Sequence, residues 1–214
     1  MINIKIFGIN FAVSIGFVGF LCLMLYVDRA GMMLPTILAV TLHEFGHLTA
    51  LLIFGAKPQR VELKVGAVAI IGNFVLTVKQ RFIMLLAGST VNFIVFLLLY
   101  CLYFVFQNLY LLNFSLVMFV VGVINLLPIL GLDGGEILSL IFIRFMKLKS
   151  ANKLVLVFSI VTILFVLLLG LHVLNNTKTN FSLIIFGIYL FLGILVSKKE
   201  KNDCKIHRNI VKYK

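Results

Sequence analysis

Long apolar runs constrain this chain more than any other feature of its sequence. Crossing the hydrocarbon core of a bilayer takes roughly 20 apolar residues in a helix. Runs of about that length lie at about 6–27, 33–54, 82–106, 110–130, 153–172 and 181–197. Hydrophobic residues make up 62% of the chain and charged residues only 12%, which is far from the balance of a soluble domain. We therefore predict an all-α polytopic membrane protein with six transmembrane helices.

The basic residues predict how these helices are oriented. Six spans place both termini on one side of the membrane, and of the nineteen Lys and Arg residues only Arg29 and Lys178 fall on the other side. Because positively charged loops stay in the cytoplasm, we expect both termini of this multi-pass cell-membrane protein to be cytoplasmic. The net charge of +12 then belongs to loops and a tail beside the lipid bilayer, and it indicates no nucleic-acid partner.

Two segments inside the predicted membrane domain, residues 1–196, are unlike transmembrane helices. Residues 61–78 are rich in Val and Ile around Gly72-Asn73, which favours a small membrane-associated β-hairpin around that pair, with a hydrophobic loop as the alternative. Residues 134–148 are too short to span and end in basic residues, which is typical of a helix at the cytoplasmic interface. A basic cytoplasmic tail follows at 197–214.

The second apolar run contains His43-Glu44-Phe45-Gly46-His47. Residues four apart lie on one helix face, so His43 and His47 can offer two imidazole nitrogens to one zinc ion. Glu44 projects beside that pair, where it can act as general base and later as proton donor. The alternative is a chance match on a helix, which would leave three polar side chains without partners in lipid.

A catalytic zinc site needs a third protein ligand and an open position. The candidates near the apolar runs are Asp133, Glu136 and His172. His172 falls at the outer end of its run, and we assign no role to Glu136. Asp133 follows a predicted helix that Pro128 breaks. The apolar runs of His47 and Asp133 both cross the membrane from the outside to the cytoplasmic side, so the two side chains can lie at the same depth and meet. The alternative for Asp133 is a carboxylate that caps the following helix.

At this point the sequence resembles the site-2 protease family of intramembrane metalloproteases. The matching elements are the HEFGH motif at 43–47, the segment AGSTVN at 87–92 and the LDGG motif at 132–135, in that order. They cover residues 33–137, which correspond to the three-helix catalytic core of that family. Leu130 and Gly131 stand where many members have proline. This difference leaves the backbone shape before Asp133 open, but it does not affect Asp133 as the expected ligand.

The resemblance implies a Zn²⁺ ion held by His43, His47 and Asp133, with Glu44 as the catalytic acid and base. It also implies that Asn92 and Asn125 lie near the substrate backbone or oxyanion. Either asparagine could instead form a hydrogen bond between helices.

The function implied is a zinc-dependent intramembrane endopeptidase that cleaves membrane protein substrates near the cytoplasmic side. Six spans and a strand segment after the HEFGH helix are most similar to the bacterial sporulation-type branch, which processes a pro-sigma factor. A divalent-metal transporter and a non-proteolytic membrane-binding homologue are the alternatives. Transport sites usually place acids along a route, whereas the acids here cluster at one depth, and inactive relatives commonly lose the glutamate or a ligand.

The charge distribution can be tested with reporters fused to the full chain. A reporter that is active only in the cytoplasm should be active after Lys214 and inactive when inserted beside Lys178, because the positive-inside bias fixes the orientation. The reverse activities would contradict the predicted orientation.

Overall fold

The computed structural model describes residues 2–6, 9–13, 31–56, 58, 60–64, 67–72, 75–178 and 181–194, together with Gly19, Cys22, Leu25, Tyr26 and Asp28. The predicted tail at 197–214 lies outside these residues. The chain divides into two compact units, Met1–Ile124 and Asn125–Lys214.

A four-stranded sheet belongs to the first unit. Its strands are β1 (Ile2–Ile6), β2 (Ile9–Val13), β3 (Arg60–Lys64) and β4 (Ala67–Ile71), in that spatial order. The outer pairs are antiparallel, and β2 runs parallel to β3.

The sheet changes two predictions. The first predicted span, 6–27, begins in strands rather than a helix, because Ile2, Ile4 and Ile6 alternate with polar residues in the two-residue period of a strand. In the region of the predicted hairpin, β3 and β4 pair as antiparallel strands. Lys64 lies opposite Ala67, so only residues 65–66 connect the two strands. The turn position that we predicted at Gly72-Asn73 is therefore wrong. Gly72 follows β4, and Asn73 lies outside the described residues.

Three helices complete the first unit, α1 (Met33–Ile53), α2 (Val78–Phe106) and α3 (Leu109–Asn125), the last of which ends at the boundary between the units. Polar side chains mark where each begins. The Asp28 carboxylate accepts a hydrogen bond from the Met33 N–H at 2.7 Å, and Thr77 forms a capping box with Gln80. The Asn108 side chain accepts from the Tyr110 N–H at 2.9 Å at the start of α3.

The helices α1 and α2 pack closely through small residues. A Cβ added to Gly46 would lie 2.7 Å from the Ala87 carbonyl oxygen and 2.9 Å from the Gly88 Cα. The two backbones therefore touch at this level. Contacts later in α1 fall earlier in α2, since His47 meets Met84 while Gly46 meets Ala87, so the two helices run antiparallel.

The second unit contains α4 (Asp133–Ile143), α5 (Leu148–Thr177) and α6 (Ser182–Ile194). The connection before α4, residues 126–132, is named here the 126–132 loop. Ile129 of this loop is 1% exposed and packs with Ile163 of α5 and with Leu190 and Ile194 of α6. A hydrophobic core thus joins the loop to both later helices.

Among the described residues, three helices are long and apolar enough to cross a membrane: α1, α2 and α5. The apolar helices α3 and α6 are shorter than that. The predicted interfacial segment 134–148 forms α4, which ends at Ile143, and α5 begins within the same segment at Leu148. A membrane-associated helical protein is therefore supported, with three helices of the described part long and apolar enough to cross a membrane, while the count of six spans stays a prediction.

The contact between α1 and α2 predicts that Gly46→Ala destabilises the fold. The new Cβ would overlap the α2 backbone, so the helices must separate, at a cost of about 1–3 kcal/mol in the free energy of unfolding. Thermal unfolding of the detergent-solubilised protein measures this. Gly193→Ala is the control, because a Cβ there meets nothing within 4 Å. Equal melting temperatures for the two variants would contradict the predicted clash.

Candidate functional site

The two histidines of the HEFGH motif face each other inside the first unit. The Nε2 atoms of His43 and His47 lie 3.0 Å apart, and their rings meet edge to face with centroids 4.7 Å apart. His43 is 3% exposed and His47 is 6% exposed. The arrangement follows from the helix itself, since residues four apart project from the same face.

The second nitrogen of His47 fixes the tautomer of its ring. His47 Nδ1 lies 2.7 Å from the backbone carbonyl oxygen of Met84 in α2. A carbonyl oxygen only accepts hydrogen bonds, so Nδ1 carries the hydrogen and donates it. In a neutral imidazole Nε2 then carries the lone pair, which is the group that can ligate a metal. Metal-binding histidines commonly have their other ring nitrogen oriented in this way.

Gly88 of α2 lies directly against the rings of the two histidines of α1. A Cβ added there would lie 2.6 Å from His47 Nε2 and 2.7 Å from His43 Cε1. The segment AGSTVN was singled out from the sequence, but nothing in it pointed to this role for Gly88. The identity of the residue facing a histidine ring depends on how two helices dock, and sequence spacing within one helix does not contain that information.

The remaining predicted residues of the first unit lie close by in the fold. Glu44 follows His43 in α1 and is half-buried. Asn92 lies one turn beyond Gly88 in α2 and is fully buried. Within the described part of the chain, neither polar atom of its amide has a hydrogen-bond partner, and the same holds for the hydroxyl of buried Ser89. Buried amides without partners are costly, so Asn92 is a side chain that would gain from a polar ligand.

The second unit carries the other two predicted residues. Asp133 is the first residue of α4 and is half-buried, and Asn125 is the last residue of α3 and is also half-buried. After Asp133 come two buried glycines. A Cβ on Gly134 would overlap the Leu126 carbonyl, and one on Gly135 would overlap the Ile129 carbonyl. The glycines thus let the 126–132 loop lie directly against the start of α4.

The donor set of these residues suits a metal ion. His43, His47 and Asp133 each offer one atom that could ligate a metal. Two nitrogens at about 2.0–2.1 Å from one tetrahedral zinc ion would stand roughly 3.3 Å apart, close to the 3.0 Å between the two Nε2 atoms. A hydrogen bond between the rings has a similar length, so a measured affinity for Zn²⁺ is what distinguishes a metal site from a hydrogen-bonded pair.

Comparison with solved structures shows the fold. The structure of "Site-2 Protease from Methanocaldococcus jannaschii" matches with a TM-score of 0.68 and 24% sequence identity, over 92% of this chain and 94% of that one. No protein-family model and no curated protein matches the sequence. The chain therefore shares its fold with a protein described as a site-2 protease.

The contact of Gly88 with the two rings predicts the effect of Gly88→Ala. The added Cβ would overlap His47 Nε2 and His43 Cε1 and so displace both rings, and we expect affinity for Zn²⁺ to fall about tenfold or more. Competition with a chromophoric chelator measures this affinity, with Gly193→Ala as the matched control. Wild-type affinity in Gly88→Ala would show that the rings do not bind the metal at these nitrogens.

Proposed function

We propose that this protein is a zinc-dependent intramembrane metalloendopeptidase of the site-2 protease family. The observation that carries the proposal is the pair of facing imidazole nitrogens, 3.0 Å apart, on a helix long and apolar enough to cross a membrane. A glutamate lies within the same turn of that helix. The shared fold is consistent with this proposal.

In this proposal His43, His47 and Asp133 hold the zinc ion. Two histidines and a carboxylate form a known catalytic donor set, which leaves a fourth position for water or substrate. The tautomer of His47 presents its Nε2 for binding, and a half-buried Asp133 at the first turn of α4 supplies the third ligand. A bound zinc ion supplies a Lewis acid that polarises the scissile carbonyl and makes water more acidic.

Glu44 moves the proton of the reaction. Hydrolysis adds the oxygen of water to the carbonyl carbon and a proton to the leaving amine. As general base, Glu44 takes a proton from the attacking water, and as general acid it delivers a proton to the amine nitrogen when the peptide bond breaks. Its position directly after His43 keeps the carboxylate within one helical turn of both ligands.

The substrate enters as extended backbone. A peptide bond inside a helix is shielded by its own hydrogen bonds, so a transmembrane substrate must unwind locally before water can attack. Asn92 would hold the opened backbone, since both of its polar atoms lack partners in the described part of the protein. Asn125 at the end of α3 is proposed for the same task. The substrates in this proposal are membrane proteins that are cut near the cytoplasmic side of the cell membrane. Both termini of the enzyme are then cytoplasmic, and the enzyme resembles the sporulation-type branch of the family.

The proposal predicts that Glu44→Gln separates metal binding from cleavage. The amide cannot accept the proton, so peptide cleavage should fall about 10²–10⁴-fold, while the zinc content stays near that of the wild type. Purified protein in detergent, a membrane-protein substrate and elemental analysis give both readouts.

The control is Glu136→Gln, which neutralises another half-buried acid that has no assigned role and should keep its activity. Unchanged cleavage in Glu44→Gln would refute the assignment. Zinc uptake into proteoliposomes that contain the wild-type protein, without any cleavage, would favour transport instead.

A further inference from the structure

We propose that Ser159 of α5 is a positioning residue for Asp133, acting through the backbone of the 126–132 loop. This inference rests on the proposed role of Asp133 as a metal ligand. Every contact on which it depends lies within the second unit. Ser159 is fully buried, although it lies in the middle of an apolar helix where alanine or leucine would be the ordinary choice.

The hydroxyl of Ser159 connects α5 to the loop. Its Oγ accepts a hydrogen bond from the Leu130 N–H at 2.8 Å. It donates its single hydrogen to the Val155 carbonyl at 2.7 Å, with the Pro128 carbonyl at 3.3 Å as a longer second acceptor. A serine hydroxyl in a helix can form its hydrogen bond with a carbonyl of the same helix. Here the hydroxyl oxygen also binds the N–H of a loop residue 29 positions away.

The anchored amide is only three residues before Asp133. Between them the backbone turns, with the Leu132 N–H donating to the Ile129 carbonyl at 3.0 Å and Gly131 at a φ of +102°. The Glu136 N–H then donates to the Leu132 carbonyl at 3.2 Å as α4 begins. A shift of the Leu130 amide would therefore pass directly to the first residue of the helix.

The loop has two further attachments, and they do not replace Ser159. Ile129 is fixed by its side chain in the core with Ile163, which is one helical turn beyond Ser159. The close contact of Gly135 with the Ile129 carbonyl holds the loop against α4. Neither attachment offers an acceptor to the Leu130 N–H, so without the hydroxyl this amide must move to find a partner. The Asp133 carboxylate would then lose its set position, as happens when the groups that orient a ligand are removed.

The experiment compares zinc affinity and metal-dependent stability in full-length, detergent-solubilised variants. Ser159→Ala should weaken zinc binding about tenfold by chelator competition. It should also reduce the rise in melting temperature on adding zinc, because that rise depends on affinity. Asp133→Ala should weaken binding at least as much. In the cobalt-substituted protein, Ser159→Ala should change the visible ligand-field spectrum.

Two control variants separate positioning from general stability. Ile163→Val removes one methyl group from the core around Ile129 and keeps the hydrogen bond that holds the Leu130 N–H, so its melting temperature should fall equally with and without zinc. Thr162→Ala removes a hydroxyl that bonds only to Phe158 of its own helix in the described contacts, and it should behave as the wild type. If Ser159→Ala does not yield folded protein, Ser159→Cys keeps the side-chain volume and replaces the hydroxyl with a weakly hydrogen-bonding thiol, and exchange of the Leu130 amide, measured on peptides spanning 126–133, should quicken.

The outcomes distinguish this inference from the proposed function. Weak zinc binding in both Asp133→Ala and Ser159→Ala, with wild-type zinc affinity in both control variants, supports the positioning role. Weak binding in Asp133→Ala with wild-type affinity and spectrum in Ser159→Ala overturns the positioning role and leaves the ligand set intact. Wild-type affinity in Asp133→Ala overturns the ligand set, and the positioning role fails with it.

Discussion

The backbone contact between α1 and α2 is the constraint on which the histidine site depends. Side chains larger than hydrogen at Gly46 or Gly88 would hold the two helices apart. Their close approach brings the Met84 carbonyl to 2.7 Å from His47 Nδ1 and lets the α2 backbone cover the rings of both histidines. Small residues serve this purpose well in membrane helices. Lipid is as apolar as the side chains, so close packing rather than the hydrophobic effect must drive the helices together.

A second constraint shapes the other unit. The 126–132 loop is non-helical backbone beside apolar helices, and such backbone needs partners for its polar groups when water is scarce. Ser159 supplies one partner to Leu130, and turns within the loop supply others. Gly134 and Gly135 remove the side chains that would hold the loop away from α4. The residues that give the loop its hydrogen bonds and close contacts thus also set the position of Asp133, the first residue of α4.

Comparison of prediction and structure shows which signals in the sequence are local. The facing histidines were predictable because a four-residue spacing on a helix needs no information from the rest of the chain. Apolar composition predicted membrane helices, and α1, α2 and α5 fit it. It failed at Ile6 and over Ile9–Val13, which lie in strands despite their hydrophobicity. The turn predicted at Gly72-Asn73 failed because strand register, fixed by the pairing of Lys64 with Ala67, decides where a hairpin turns.

The sequence by itself determined the chemistry available to this protein: two imidazoles on one helix face, a glutamate between them and very few other acids in apolar surroundings. Tertiary structure alone decided which distant residues meet inside each of the two units. Gly88 covers the rings, Met84 sets a tautomer, and Ser159 reaches a loop amide 29 residues away. The physical reason is that these contacts join segments distant in sequence, and their partners are set by how helices dock. Spacing along a single helix therefore cannot reveal them.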